Sequence, residues 1–350
     1  MNRGVVHFAF PGSLDTLTGG TIYDRQLIHG LRSLGLDVAT LPLSGQFPFP
    51  AAGALQETRE MLSALEDDAV VIIDGLAFGA FDELTVAQAQ RLRIIALCHH
   101  PLALESGLHP AQQQRLQASE QRALQVARAV LVTSEHTRQT VIAAFAVLPQ
   151  RVTVARPGTA RVPFVDCNGY PPRLLALGSL IRRKAHDVLI DALAPLTHLP
   201  WQARFAGSAA FDPAWSDQLQ QQINRLGLQS RICLAGAVED AALEFRHAEL
   251  FVLPSRYEGY GMVFAEALAA GLPIVAARAG AVPDLVPESA GVLVPPDDAR
   301  ALTLALRTLL TREDLRRQLQ AGARRAAAAL PTWSDTASRV ARLIYDVRSA

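Results

Sequence analysis

The chain has 350 residues, half of them hydrophobic and 19% charged, which excludes a disordered segment and allows two cores rather than one. Its 33 basic and 33 acidic residues cancel, which argues against a broad nucleic-acid surface, though not against a local basic patch. Cys98, Cys167 and Cys233 are far apart and form no Cys-x-x-Cys pair, so neither a disulfide framework nor a zinc site is indicated, and a reducing cytoplasm suits them.

Taken in chain order, the first apolar run is Val5 to Phe10, preceded by Arg3 and interrupted by His7; it is too short for a signal peptide and predicts a strand. A helix follows over Thr21–Leu34. Strands are expected at Leu36–Leu41, Ala69–Asp74, Ile94–Cys98, Ala129–Thr133 and Val152–Ala155, with helices at Leu55–Leu65, Ala111–Ala127 and Ser134–Phe145. Strands alternating with helices predict a parallel sheet covered on both faces, an α/β class. Between Arg156 and Pro172 loop signals gather, and a linker is placed there; the domains are then 1–165, 166–330 and a last helix in 331–350. The alternation restarts with strands at Leu174–Leu177, Ala203–Ala206, Ile232–Ala235, Leu250–Leu253, Ile274–Ala276 and Val292–Val294. Helices are expected at His186–Ala194, Ala214–Leu226, Ala241–His247 and Val263–Ala270. The apolar run Met262 to Ala277 contains Glu266 and Pro273 and is too short to span a bilayer.

The tail is helical over Arg300–Leu310 and Glu313–Ala328. Pro331 breaks it, and Ser334 is expected to cap a last helix to Val347. Val340, Leu343, Ile344 and Val347 recur at helical spacing, so one face needs a partner. Periodicity alone allows either domain; a return to the first is the expected arrangement.

Two carboxylates stand out, Glu258 and Glu266 in Glu258-Gly-Tyr-Gly-Met-Val-Phe-Ala-Glu266. Gly259 and Gly261 follow an apolar strand and open a helix, so that the amides of Tyr260, Gly261 and Met262 would sit at a helix start, where the dipole favours an anion. Glu266 lies in a helix that is apolar nearly all round. A carboxylate there needs a partner, and ribose hydroxyls would serve; the plain alternative is an exposed glutamate on a polar stripe. Lysine occurs once in the chain, at Lys184, in Leu177-Gly-Ser-Leu-Ile-Arg-Arg-Lys184. Where every other basic side chain is arginine, a lone lysine marks a place for a compact ammonium, or chance survival on the surface. With Gly178 and Arg183 it sits after a strand, on the ligand side of such a sheet, and could neutralise a departing diphosphate.

In the first half, Thr18-Gly19-Gly20 forms a second, weaker anion loop, and His99-His100-Pro101 ends a strand on the same side. A hydrogen-bonded strand-end histidine is the plain alternative for either. Asp67-Asp68 and Asp297-Asp298 look like loop acids, no ligand spacing is present, and no obligate metal or other cofactor is expected. No Gly-x-Ser-x-Gly elbow occurs, which argues against a serine hydrolase.

Together these residues resemble the retaining glycosyltransferases of the GT-B fold, often called family 4, which include bacterial glycogen synthase and phosphatidylinositol mannosyltransferase. The resemblance spans nearly the whole chain and is strongest from Leu174 to Pro296. It rests on Glu258 and Glu266 as a Glu-x7-Glu signature, on Gly178, Leu180 and Lys184, on Gly19-Gly20, and on His99 or His100. It implies two Rossmann-like domains with parallel sheets facing a cleft, the second binding a nucleotide-sugar donor. Glu266 would hold the ribose. Glu258 and the loop Gly259, Tyr260, Gly261 and Met262 would hold sugar and diphosphate. Lys184 would stabilise the leaving group, and the main chain near Gly236 to Val238 would meet the base. The acceptor, a saccharide, lipid or small molecule, would enter from the first domain. The sequence departs from the family at Ser179, where an arginine is usual, and at Ala185, where glycine is common; Arg182 or Arg183 would then supply the missing charge. A cytoplasmic protein is expected, at the inner membrane face if the acceptor is a lipid. A sugar-nucleotide epimerase or phosphorylase on the same fold, or a non-catalytic donor-binding subunit, are the competing readings.

Overall fold

The structure, a computed structural model, describes residues 4–105 and 107–349; Arg3, weighed above, lies outside them. Two compact units emerge. The first comprises the chain up to Gly158 together with the segment from Pro331 onward, and the second runs from Thr159 to Leu330.

The first unit holds six parallel strands: β1 (Val6–Pro11), β2 (Val38–Leu43), β3 (Val70–Asp74), β4 (Arg93–Cys98), β5 (Ala129–Val132) and β6 (Val152–Val154), in the order β2-β1-β3-β4-β5-β6. The second repeats the plan with β7 (Arg173–Leu177), β8 (Gln202–Ala206), β9 (Ile232–Gly236), β10 (Leu250–Leu253), β11 (Ile274–Ala277) and β12 (Gly291–Val294), in the order β12-β11-β10-β7-β8-β9. Strands buried on both faces need apolar side chains at every position, which is why Val70-Val-Ile-Ile73 and Leu250-Phe-Val-Leu253 are unbroken runs. The period of two is still visible in what each residue touches. Val71, Ile73, Ile94, Ala96 and Val130 join the core on one face of the first sheet. Val6, Phe8, Ile72, Ile95 and Leu131 join the core on the other.

Each strand order reverses at one place, between β1 and β3 in the first sheet and between β7 and β10 in the second. At such a switch the connections leave in opposite directions, and a crevice opens beyond the carboxyl ends of the two strands.

The helix Trp333–Ser349 belongs to the first unit. Its Val340, Ile344 and Val347 are buried with Tyr23, Leu27 and Leu31 of the helix Gly19–Ser33. The two helices come so close that a Cβ on Gly30 would lie 2.6 Å from that of Ala337.

Several expectations need correction. Residues 159–165 belong with the second unit, because the Val165 amide donates to the Ala270 carbonyl at 2.9 Å and its own carbonyl accepts from Gln320 and Arg324. The last helix is capped by Thr332, not Ser334: the Thr332 hydroxyl accepts from the Asp335 amide at 3.2 Å, and Asp335 reaches back to the Thr332 amide at 2.8 Å. The strand expected at Leu36–Leu41 lies at Val38–Leu43; Pro42 is tolerated there because β2 is an edge strand. Short helices at Gly75–Phe78, Asp82–Gln88 and Val282–Leu285 were not anticipated, being too brief to show a period.

Candidate functional site

The switch point of the second sheet brings Lys184 and Glu258 together. Lys184 ends the turn after β7, and Glu258 follows β10. Nζ of Lys184 donates to Oε1 of Glu258 at 2.6 Å, and a guanidinium nitrogen of Arg183 stands 3.5 Å from Oε2. Glu258 is buried, so its charge is tenable only because two cations face it. Burial alone would raise its pKa. The charges of Lys184 and then Arg183 outweigh burial and hold the carboxyl below its usual value.

Backbone features fix this pair. Gly178 adopts a φ of 153°, and the Lys184 stem packs against it, Cε lying 3.3 Å from where a Cβ would be. The Glu258 carbonyl accepts from the Ala281 amide at 2.9 Å, and Gly280 approaches the same carbonyl so closely that a Cβ there would sit 2.1 Å from it. Arg256 ties the two loops: its amide donates to the Arg183 carbonyl at 2.8 Å, and its guanidinium engages Asp187 at 2.8 Å and Asp297 at 2.7 Å. Gly280, Ala281 and Arg256 carried no readable signal, since their task is defined by a loop distant in sequence. Asp297, expected to be a loop acid, is a strut for that arginine.

Beyond Glu258, Gly261 takes a left-handed φ of 87° and ends the loop, so that the helix Met262–Ala269 begins there. Among the described residues the amides of Met262 and Val263 find no backbone acceptor, which leaves the helix start open to an anion. Gly259 and Tyr260 lie in the same loop, Tyr260 buried. Glu266 is one turn further on and half-buried. No hydrogen bond or ion pair reaches its carboxylate among the described residues, and burial lifts its pKa to about 7.

The two arginines of the turn separate. Arg183 serves Glu258 and also donates to the Tyr257 carbonyl at 3.1 Å. Arg182 lies over the Trp215 ring, 4.3 Å from its centre, with Asp212 at 3.8 Å, and is committed there. Ser179 precedes the turn and bears no side-chain hydrogen bond among the described residues. Ala185 takes the left-handed φ of 53° that a glycine would take without strain. Val238 is half-buried after β9, with β8 between it and β7; the Gly236 carbonyl nearby is already occupied by the Gly207 amide at 2.7 Å.

The switch point of the first sheet gathers a second cluster. Gly19 and Gly20 start their helix, capped by Thr18, whose hydroxyl accepts from the Thr21 amide at 3.2 Å. A Cβ on Gly20 would touch the His99 ring at 3.5 Å. Nε2 of His99 lies 3.3 Å from Asp24 and 3.0 Å from Asp74. His100 turns instead to Glu105, at 3.1 Å. Sequence spacing does not reveal the acidic pair, because Asp24, Asp74 and His99 arrive from three elements. A signal existed nonetheless: Asp74 is an acid at the carboxyl end of the otherwise apolar β3. Among the described residues these three side chains, with one atom each within 4.8 Å of one another, are the nearest approach to a cation site.

No helix of the described residues is long and apolar enough to cross a membrane.

Comparison with known proteins gives the following. Residues 171–312 match the family described as Glycosyl transferases group 1. The lipopolysaccharide core biosynthesis mannosyltransferase LpcC of Rhizobium leguminosarum bv. viciae is 31% identical over 186 residues, 51% of this chain and 53% of that protein. The chain matches only 40% to 53% of the length of the first curated relatives. Among solved structures, the sucrose-phosphate synthase of Thermosynechococcus elongatus superposes with a TM-score of 0.83 at 21% identity, covering 98% of this chain and 99% of that one. Anabaena Alr3699/HepE in complex with UDP-glucose gives 0.75 at 18% identity, covering 97% and 99%. The fold is thus the GT-B one, and residues 171–312, which contain Lys184, Glu258 and Glu266, are a glycosyl transferases group 1 domain.

Proposed function

We propose that the protein is a retaining glycosyltransferase that moves a hexosyl group from a nucleotide-sugar donor to an acceptor hydroxyl without an obligate metal. The observation that carries this reading is the buried Glu258 held between Lys184 and Arg183 beside an open helix start. Such a site offers an anion two cations and free amides, while its carboxylate can accept from sugar hydroxyls. The UDP-glucose complex of the Anabaena relative supports a donor of this class.

In this reading the diphosphate lies over Gly261 and Met262 and takes over part of the attraction of Lys184. Glu266, left with no partner of its own, receives the ribose hydroxyls, and the backbone of Gly236 to Val238 meets the base. Arg183 replaces the arginine that the family usually has at Ser179. His99, beside Gly20, and not His100, is the histidine assigned to the reaction, as a donor to a sugar hydroxyl. The C1–O bond to the β-phosphate breaks as the acceptor oxygen bonds to C1 from the same face, and the acceptor proton passes to the departing phosphate. Catalysis then rests on positioning and on charge placed where the leaving group develops its own.

A thermal-shift screen of UDP-, GDP- and ADP-sugars tests the donor, because a ligand bound only by the folded state raises the melting temperature by mass action. One donor class should stabilise, and that stabilisation should vanish in Glu266→Ala. Absence of a shift with every class would sink the proposal. Isomerised donor, or sugar phosphate formed only when phosphate is added, would replace it with epimerase or phosphorylase chemistry.

A further inference from the structure

Asp24 and Asp74 come from different elements, the helix Gly19–Ser33 and the end of β3, yet each brings an oxygen to one atom, Nε2 of His99. Both carboxylates are buried, at 2% and 4% exposure. Two acids buried this close are costly unless a cation stands between them. Asp74 is fixed independently of the histidine, since its Oδ1 accepts from the Leu76 amide at 2.9 Å. Gly20 closes in on the Cδ2–Nε2 edge of the ring, and Tyr23 stands edge-on with 5.3 Å between ring centres. Nε2 is buried and contributes nothing to the 21% exposure of this side chain, and Nδ1, on the opposite edge, makes no hydrogen bond among the described residues.

A neutral imidazole has one N–H. With that proton on Nε2 between the acids, Nδ1 would be a bare acceptor; with the ring charged, Nδ1 is a donor. We propose that Asp24 and Asp74 are positioning residues that lock Nε2 of His99 inward and make the histidine a hydrogen-bond donor at Nδ1, not a base. The ligand it donates to is an electron-rich oxygen, a sugar hydroxyl in the reading above, and only that identification depends on the proposed function.

The surroundings agree. Burial lowers the pKa of His99, but the bonds and charges of Asp24 and Asp74 outweigh it and raise it to about 10. Asp24 is itself pushed up to about 7, by burial and then by Asp74. The other titratable groups near the ring are engaged elsewhere. The Tyr23 hydroxyl donates to the Ala155 carbonyl at 3.0 Å. Glu120, from the helix Pro110–Val126, faces Cys98 and the Leu102 amide. His100 pairs with Glu105. From the end of β5, the uncharged Thr133 hydroxyl donates to the His99 carbonyl at 3.2 Å.

The test is nitrogen-resolved NMR of the imidazoles in the full chain, with His99 assigned by its loss in His99→Gln. Both ring nitrogens of His99 should carry protons from pH 6 through 8. In Asp24→Asn and Asp74→Asn its titration should fall toward the ordinary histidine range near 6.5. Where transfer is measurable, the rate is read as variant over parent at each pH, so that the titration of Glu266 near 7 cancels. Relative to the parent, the two variants should lose roughly 25-fold between pH 6 and 8, because the protonated ring is depleted as pH rises through the lowered value. A merely structural role would depress the rate equally at every pH. A neutral ring with its proton on Nε2 in the parent at pH 7 would overturn the proposal, as would an unmoved titration in both variants. Transfer lost on chelation and restored by a divalent ion would also overturn it. The NMR readout needs no donor, so it stands or falls apart from the glycosyltransferase reading.

Discussion

At the scale of the residue, two carboxylates of one motif are held in opposite electrical states. Glu258 is kept charged by Lys184 and Arg183, whereas Glu266, with no partner among the described residues, is lifted by burial to about 7. The consequences have opposite signs. A group whose folded pKa is depressed stabilises above its unfolded value and loses that contribution as pH falls. Lys184→Ala should therefore cost about 3 kcal/mol at pH 7, where Glu258 is left facing Arg183 alone, and progressively less as the pH falls below the ordinary glutamate value; denaturant titration across that range checks this. A group whose folded pKa is raised costs stability as pH rises through the folded value. Glu266→Gln should accordingly stabilise the ligand-free protein by about 1–2 kcal/mol at pH 8 and by little at pH 4, while weakening nucleotide-sugar binding. Lys184→Arg probes size. The ammonium sits between Gly178 and Glu258 with Arg183 close by, and a second planar guanidinium would displace one of them. Turnover should fall at least about 10-fold with the fold intact; full activity in a transfer assay would refute the argument from the chain's single lysine.

At the scale of the element, the loops after β7 and β10 are shaped by glycines that a Cβ would disrupt. Gly280→Ala would place a methyl group 2.1 Å from the Glu258 carbonyl at a φ of 56°. The loop must then move, and about 2 kcal/mol or more of stability should go with it, since strain and contact add. Gly261→Ala strains a φ of 87° and meets the buried Phe264 ring at 2.7 Å. It should tilt the helix start and weaken binding of free nucleoside diphosphate, measured by calorimetry. What was legible in the sequence follows from this division. Strands and long helices announce themselves through apolar runs and period, so all twelve strands were expected within a few residues. Glu258, Lys184 and Gly261 were legible because each sits beside a strand or helix end within its own segment. Asp24 and Gly280 were not, because their partners His99 and Glu258 reach them only through tertiary packing. The sorting of Arg183 from Arg182 likewise waited on Trp215 and Asp212, which no spacing rule connects to either.

At the scale of the whole molecule, each unit has its own sheet and its own core. Ile344 is buried in the first unit, against a face built from β1, β3 and the helix Gly19–Ser33. Ile344→Ala should cost about 2–5 kcal/mol there, and calorimetry should show one melting component moving down while nucleotide-dependent stabilisation of the other is retained. A single transition shifted as a whole would mean that the units melt together.

The helix Trp333–Ser349 has a further consequence for how the protein is made. The second unit, Thr159 to Leu330, is complete in sequence before that helix leaves the ribosome, although the first unit began earlier. Until then Val6, Phe8 and Leu31 lack the apolar cover that Val340 and Ile344 will provide. The nascent first unit is thus the last to close. A stalled or truncated chain would expose a sticky sheet face to chaperones and proteases while displaying a finished second unit.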